Sequence, residues 1–258
     1  MDRFSRRSML RRSPGLATAA VLGAPQQKRP EPDRKFRVVA VGGHSDDPQT
    51  CAGGTLALFA DQGHDVVALT LTGGPLPAAD ANPEVRAVRI RRDSQRAADI
   101  LKVRLDCLNY SGGNMEQFRY GTACELSGQR YQEFTELLLD KYRPDIVFTH
   151  WPIDVHMDHR AASLLTYTAW LRGGKKFPLY YMEAESGAQT QNFFPTHYVD
   201  ITNVEQRTHE SWKALTLWYD AVWPLHDSMR RMRGAERGCK VAEAFNHHPQ
   251  SPPLPALP

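Results

Sequence analysis

Phe36-Arg37-Val38-Val39-Ala40-Val41, closed by Gly42-Gly43, is the stretch on which the fold turns. Its apolar run is too short for a helix, is mostly β-branched and ends in a glycine pair, so it predicts a buried strand followed by a tight loop. Outward from it, Gly54–Gln62 carries apolar residues at helical spacing and stops at Gly63, and Asp65–Thr72 is a second β-rich run. Glu84–Lys102 predicts a long Arg-rich amphipathic helix, Leu105–Tyr110 a third strand, Arg130–Tyr142 a helix, Pro144–Thr149 a fourth strand and Arg160–Leu171 another helix. Strand and helix alternating in this way predict βαβ units, hence an α/β fold with helices covering a central, mostly parallel sheet. Ligands of such sheets collect at the carboxyl ends of the strands, near the point where strand order reverses. Beyond residue 171, Phe177–Glu183 and Tyr198–Thr202 predict strands and Val204–Asp220 a single helix.

The chain has 258 residues and a formal net charge of +3, but that charge is uneven. Residues 1–30 hold seven Lys/Arg against Asp2 alone, which leaves 25 basic and 28 acidic residues for the rest, a net −3. A body of that balance carries no electrostatic footprint for nucleic acid. The leader runs from a basic start, Ser5-Arg6-Arg7-Ser8-Met9-Leu10, through the weakly apolar Leu16–Ala24 to Pro25-Gln26-Gln27-Lys28. Nine residues rise only about 14 Å as a helix, half a bilayer, so this is the hydrophobic region of a signal peptide and no membrane anchor. The arginine pair before it resembles a bacterial twin-arginine export signal, which places the protein in the periplasm or outside the cell. The expected organisation is a signal peptide over 1–30, one domain over 35–246 and a proline-rich disordered tail over 247–258, with no integral membrane segment once the signal is removed. Four cysteines in so long a chain are not a disulfide scaffold, although export allows a bridge.

Two loops, each after a predicted strand, carry the polar residues that matter. The first is His44-Ser45-Asp46-Asp47, ahead of Gly53-Gly54-Thr55, where a helix opens. The second is His150-Trp151-Pro152-Ile153-Asp154-Val155-His156-Met157-Asp158-His159. Taken singly, Asp-Asp at a strand end is an ordinary turn whose carboxylates bond backbone N–H groups, and Gly-Gly-Thr at a helix start would suit a phosphate. If both strands lie centrally in one parallel sheet, the two loops emerge at the same edge and offer imidazoles and carboxylates to a single divalent ion.

The motifs His44-Ser45-Asp46-Asp47 with Ala52-Gly53-Gly54-Thr55-Leu56-Ala57, then Thr149-His150-Trp151-Pro152 and His156-Met157-Asp158-His159-Arg160-Ala161-Ala162, resemble the PIG-L/LmbE-like deacetylase family. The resemblance runs from about Arg37 to Phe245 and ends in Ala242-Glu243-Ala244-Phe245. It implies a Rossmann-like three-layer fold and a zinc-dependent hydrolase that removes acetyl groups from N-acetylglucosamine-type amines, another divalent metal being the alternative cofactor. By position it makes His44, Asp47 and His159 the metal ligands, Asp46 the general base and His156 the residue that steadies the oxyanion, with Asp158 behind His156 and Arg92 binding substrate. Three protein ligands leave a metal position open, and a neighbouring carboxylate suits proton abstraction from the attacking water. The implied partner is a small N-acetylated sugar or glycoconjugate, and a homo-oligomer is allowed.

The chain departs from the family pattern at several positions. Ser45 stands where Pro is usual and Gln49 where Glu is usual, Asp93 falls where the long helix usually carries Glu, and Gly112-Gly113-Asn114 replaces a common Asp-Gly. Asp154 takes the place of a tyrosine found in some relatives. Three classes therefore stand side by side: a metal-dependent N-deacetylase or an amidase on another sugar-linked amide, a nucleotide-binding module, and a catalytically impaired carbohydrate-binding member of the same family. No G-x-G-x-x-G follows the first strand, which counts against the second. Trp212, Trp218, Trp223 and Tyr219 are read as helix-packing residues, and His226 and Glu183 as candidates to line the pocket.

Overall fold

The computed structural model describes residues 34–73, 83–110, 126–217, 219–253 and 257–258; the predicted export leader, the Gly112-Gly113-Asn114 segment, Cys124 and Trp218 lie outside these. Seven strands form one sheet: β1 (Arg37–Gly42), β2 (Asp65–Thr70), β3 (Arg104–Cys107), β4 (Ile146–His150), β5 (Leu179–Met182), β6 (His197–Asp200) and β7 (Ala242–His247). Their spatial order is β3-β2-β1-β4-β5-β7-β6. The first five pair in parallel, and β7 runs antiparallel between β5 and β6. From β1 the chain steps outward to β2 and β3 and then returns to the other flank of β1 as β4, so strand order reverses between β1 and β4. That reversal opens a crevice at the carboxyl ends of these two strands.

From Val38 to Gly42 and from Ile146 to His150 every residue is buried, which requires cover on both faces of the sheet. Alternate residues supply the two cores. Val38, Ala40 and Phe148 face Leu56 and Phe59 of α2 (Gly53–Asp61) and Leu101 of α3 (Pro83–Leu101). Val39, Val41 and Val147 face Phe134 of α4 (Gly128–Glu136), Leu138 of the π-helical turn Leu137–Tyr142 that prolongs it, and Leu165 and Trp170 of α5 (Met157–Arg172). The α/β, three-layer, mostly parallel architecture expected from the sequence is the one formed.

The C-terminal third differs from its prediction. The helix expected over Val204–Asp220 is two: α6 (Glu205–Ala214) ends where Leu215 turns to φ −80°, ψ 63°, and α7 (Tyr219–Arg237) follows. Trp212, Ala214 and Leu215 are buried with Ala97 of α3, so packing stops the first helix where periodicity alone would continue it. Pro224 lies inside α7, where it gives no amide to the helical ladder and reads as a breaker. Trp212 and Trp223 pack edge to face at 5.5 Å, as helix-packing residues do. The start of the proline-rich segment is tied to the sheet: Ser251 Oγ lies 2.9 Å from His247 Nε2 and donates to the His248 carbonyl at 2.8 Å, while Leu257 packs against the first core. Cys51, Cys107 and Cys239 are free thiols. Among the described residues, no helix is long and apolar enough to cross a membrane.

Strand β7 went unpredicted because Ala, Glu and Asn are poor strand formers; it forms by pairing on both sides. Its Glu243 carboxylate accepts from the Gly54 and Thr55 amides at 2.8 Å each and from Thr55 Oγ1 at 2.7 Å. The helix start that would suit a phosphate is therefore filled by the protein's own carboxylate, which removes the nucleotide-binding alternative. Burial pushes the Glu243 pKa up, and the Thr55 and Gly54 donors pull it partly back. Glu243→Ala strands two buried amides, at about 1–3 kcal/mol each. A thermal unfolding curve should show Tm falling by roughly 5–15 °C in a domain of this size.

Candidate active site

Both polar loops emerge at the crevice between β1 and β4. They meet closely because glycine ends β1: a Cβ on Gly43 would lie 2.9 Å from the backbone carbon of Asp158, and one on Gly42 would lie 2.7 Å from Pro48 Cδ. After His44 the chain turns at once into the short helix α1 (Asp47–Cys51), so the second half of the first polar loop is helical. Asp46 is its N-cap residue at φ −104°, ψ −20°, and its carbonyl accepts the first helical bond from Thr50 at 3.0 Å.

The Asp47 Oδ2 atom is the meeting point of the site. It accepts from the His44 amide at 2.7 Å and lies 2.9 Å from His150 Nε2, 3.4 Å from His44 Nδ1 and 3.4 Å from His159 Nε2. His150 and His159 stack at 3.9 Å, His156 and His159 at 4.4 Å, and His44 meets His156 edge-on at 4.3 Å. Three overlapping trios, His44/His156/His159, Asp47/His150/His159 and His44/Asp46/Asp47, each bring their ligating atoms within 4.8 Å of one another. Metal bonds of about 2.1 Å in a tetrahedron set neighbouring ligands roughly 3.4 Å apart, the spacing of His44 and of His159 from Asp47, and the imidazole and carboxylate donors of the cluster suit a divalent cation in their chemistry.

Charge is distributed unevenly across the cluster. Burial opposes the charged forms of His44 and His159, but Asp47 outweighs it, raising His44 well above its usual range and His159 to about 9. Burial would likewise raise Asp47, yet His159, His44 and His150 hold it well below the usual carboxylate range. Asp46 is pushed up to about 6 by burial and by the Asp47 charge beside it. Burial and the charges of His44 and His159 press the His156 pKa down, which favours the neutral imidazole.

The remaining expected residues are placed as follows. Asp158, expected behind His156, has its Oδ2 3.2 Å from His44 Nε2. Arg92, expected at substrate, is largely exposed on α3 and donates to Asp93 at 2.8 and 3.0 Å. Ser45 Oγ lies 2.8 Å from Ser94 Oγ on α3, and Gln49 Nε2 donates to the Ser45 carbonyl at 2.8 Å and the Ser94 carbonyl at 3.3 Å. The two departures at Ser45 and Gln49 thus act together to hold α3 to the first loop. Glu183 forms a buried bidentate pair with Arg233 at 2.7 Å, whereas His226 Nε2 lies 3.5 Å from Glu185 Oε1. His150 and Asp154, neither assigned a role from sequence, are both buried in the cluster.

A family model described as PIG-L, GlcNAc-PI de-N-acetylase, matches residues 39–170. The diacetylchitobiose deacetylase of Thermococcus kodakarensis is 27% identical over 234 residues, covering 83% of each chain. Among solved structures, the N,N'-diacetylchitobiose deacetylase of Pyrococcus horikoshii, complexed with its inhibitor MPG, aligns at TM-score 0.65 and 20% identity over 82% of this chain and 83% of its own. The 4-carboxy-2-hydroxymuconate hydratase GalB of Pseudomonas putida KT2440 aligns at 0.67 and 19% over 85% and 99%. Likenesses at that identity speak for the fold, which evidently carries more than one chemistry. The family match spans half the chain and takes in both loops that converge on Asp47, and on that ground the chain belongs to the PIG-L family.

Proposed function

We propose that the chain is a metal-dependent de-N-acetylase of N-acetylated sugars or glycoconjugates. The observation that carries this reading is the convergence of both loops on one carboxylate, with a second carboxylate of raised pKa beside it. His44, Asp47 and His159 hold the cation, zinc by the family's resemblance. When bound, the cation supplies Lewis acidity that polarises the amide carbonyl and acidifies water. Asp46 accepts the proton of the attacking water, and a carboxyl of pKa about 6 is matched to returning that proton to the departing amine. His156 donates a neutral N–H to the carbonyl oxygen as negative charge gathers there. Asp158 fixes the orientation of the His44 ring. Gln49 is engaged in holding the loop, so its missing charge gives no support to an impaired member.

Acetate release from N-acetylglucosamine, diacetylchitobiose and a simple N-acetyl amine, measured before and after chelation, tests the reading. Turnover of the sugars that disappears with chelator and returns with metal is expected; turnover indifferent to chelator would sink it. Since Asp46 must be ionised to accept a proton, kcat/KM should be level above its pKa of about 6 and fall about tenfold per pH unit below it.

A further inference from the structure

Residues Ile153 to Val155 run beside residues 189–191 as a narrow ribbon. Val155 donates its amide to the Gln189 carbonyl at 3.1 Å, Gln191 donates to Ile153 at 2.9 Å, and Asp154 bridges Thr190. The ribbon presents Ile153 and Val155 to solvent and turns the acid between them inward, leaving Ile153 48% and Val155 62% exposed and the Asp154 side chain 0% exposed. An ordinary half-buried strand does the reverse, with its apolar residues inward. Asp154 therefore sits inside for what its oxygens touch.

Asp154 Oδ1 accepts from the His156 amide at 2.7 Å, and Oδ2 accepts from Thr190 Oγ1 at 2.9 Å and lies 3.3 Å from His159 Nδ1. Thr190 Oγ1 in turn accepts from the Ala184 amide at 2.8 Å, just past the carboxyl end of β5. One buried carboxylate thus joins the backbone of His156, the outer nitrogen of His159 and, through a hydroxyl, the sheet. We propose that Asp154 is the positioning residue of the centre, holding His159 in the tautomer and orientation that aim Nε2 toward Asp47 while fixing the start of the helix that carries both histidines. This rests on the metal-hydrolase reading and assigns Asp154 no contact with substrate. A carboxylate on the outer nitrogen of a ligating histidine fixes the ring and makes it a better donor, and its loss typically costs 10–100-fold in metal affinity.

Asp154→Asn keeps the shape and an acceptor for the His156 amide, but an amide nitrogen turned to His159 Nδ1 would favour the wrong tautomer. Thr190→Val is its structural counterpart, because it breaks the tie to Ala184 and leaves the acid on His159. Both variants and the wild type should be titrated with cobalt(II), followed by its visible ligand-field absorption, and unfolded thermally in parallel. The expected result is that Asp154→Asn binds cobalt 10–100-fold more weakly, with altered bands and a Tm near that of the wild type, while Thr190→Val loses more Tm and less affinity. Equal affinity and unchanged bands in Asp154→Asn would overturn the inference while leaving the hydrolase reading intact, as would equal weakening in both variants. A wild type that takes up no metal would overturn the hydrolase reading and the inference with it.

Discussion

Asp46→Asn is expected to lose between about 10² and 10⁴ in kcat while keeping its metal, the range that positioned proton transfer contributes. The two adjacent carboxylates have been pushed in opposite directions by their surroundings. Asp47 is surrounded by His159, His44 and His150 and stays ionised, as suits a ligand, whereas burial and the Asp47 charge raise Asp46 to about 6, as suits a group that must take and return a proton near neutrality. Asparagine preserves the volume of the α1 N-cap side chain and cannot accept that proton, so substrate affinity should change little. Metal content and kcat measured on one preparation decide the matter. Metal lost in parallel with activity would mean the two carboxylates have exchanged roles, and full activity with full metal would mean that another group is the base.

The sheet was legible because its central strands are buried on both faces and so read as uninterrupted apolar runs. Val38-Val39-Ala40-Val41 and Ile146-Val147-Phe148 need no context to be recognised, and placing them side by side at the reversal of strand order brings the two polar loops together. Strand β7 was illegible for the opposite reason. Ala242-Glu243-Ala244 has no strand preference of its own, and its conformation comes from β5 and β6 on either flank and from Glu243 reaching the start of α2, 188 residues away in the chain. The end of α6 was hidden likewise, since it is set by packing against α3 and not by a glycine or proline at the break.

Within the site, the family resemblance named His44 and His159, each 3.4 Å from Asp47, but not His150, which lies 2.9 Å from it, nor what stands behind them. His150 lies at the carboxyl end of a buried central strand, and that position was a signal: a histidine there must face the crevice or be satisfied within it. Asp154 gave a subtler one, as an acid between Ile153 and Val155 points inward only if the apolar pair points out, and the side to which a loop turns is not written in its periodicity.

Removal of any one ligand should cost more than removal of a supporting residue, and the graded series separates the two. His44→Ala, Asp47→Ala and His159→Ala are each expected to lose bound metal and, with it, several kcal/mol of transition-state stabilisation, about a thousandfold or more in kcat/KM. His150→Ala takes away the 2.9 Å bond to Asp47 and the ring stacked on His159, but leaves the expected ligands in place, so its affinity for metal should fall about 10–100-fold with activity recoverable at high metal. The metal-free wild type carries a further signature. His159 is raised to about 9 from 6.5, so its pairing with Asp47 contributes full stability below pH 6.5, and that contribution is lost as pH rises through 9. Metal-free wild type should therefore lose Tm between pH 6.5 and 9, and His159→Ala should show a shallower slope, what remains coming from His44, which Asp47 also raises. Metal content by elemental analysis, and Tm against pH for the chelated proteins, are the measurements. Activity in His150→Ala that no metal concentration restores would place His150 among the ligands themselves, making Asp47/His150/His159 the trio that holds the ion.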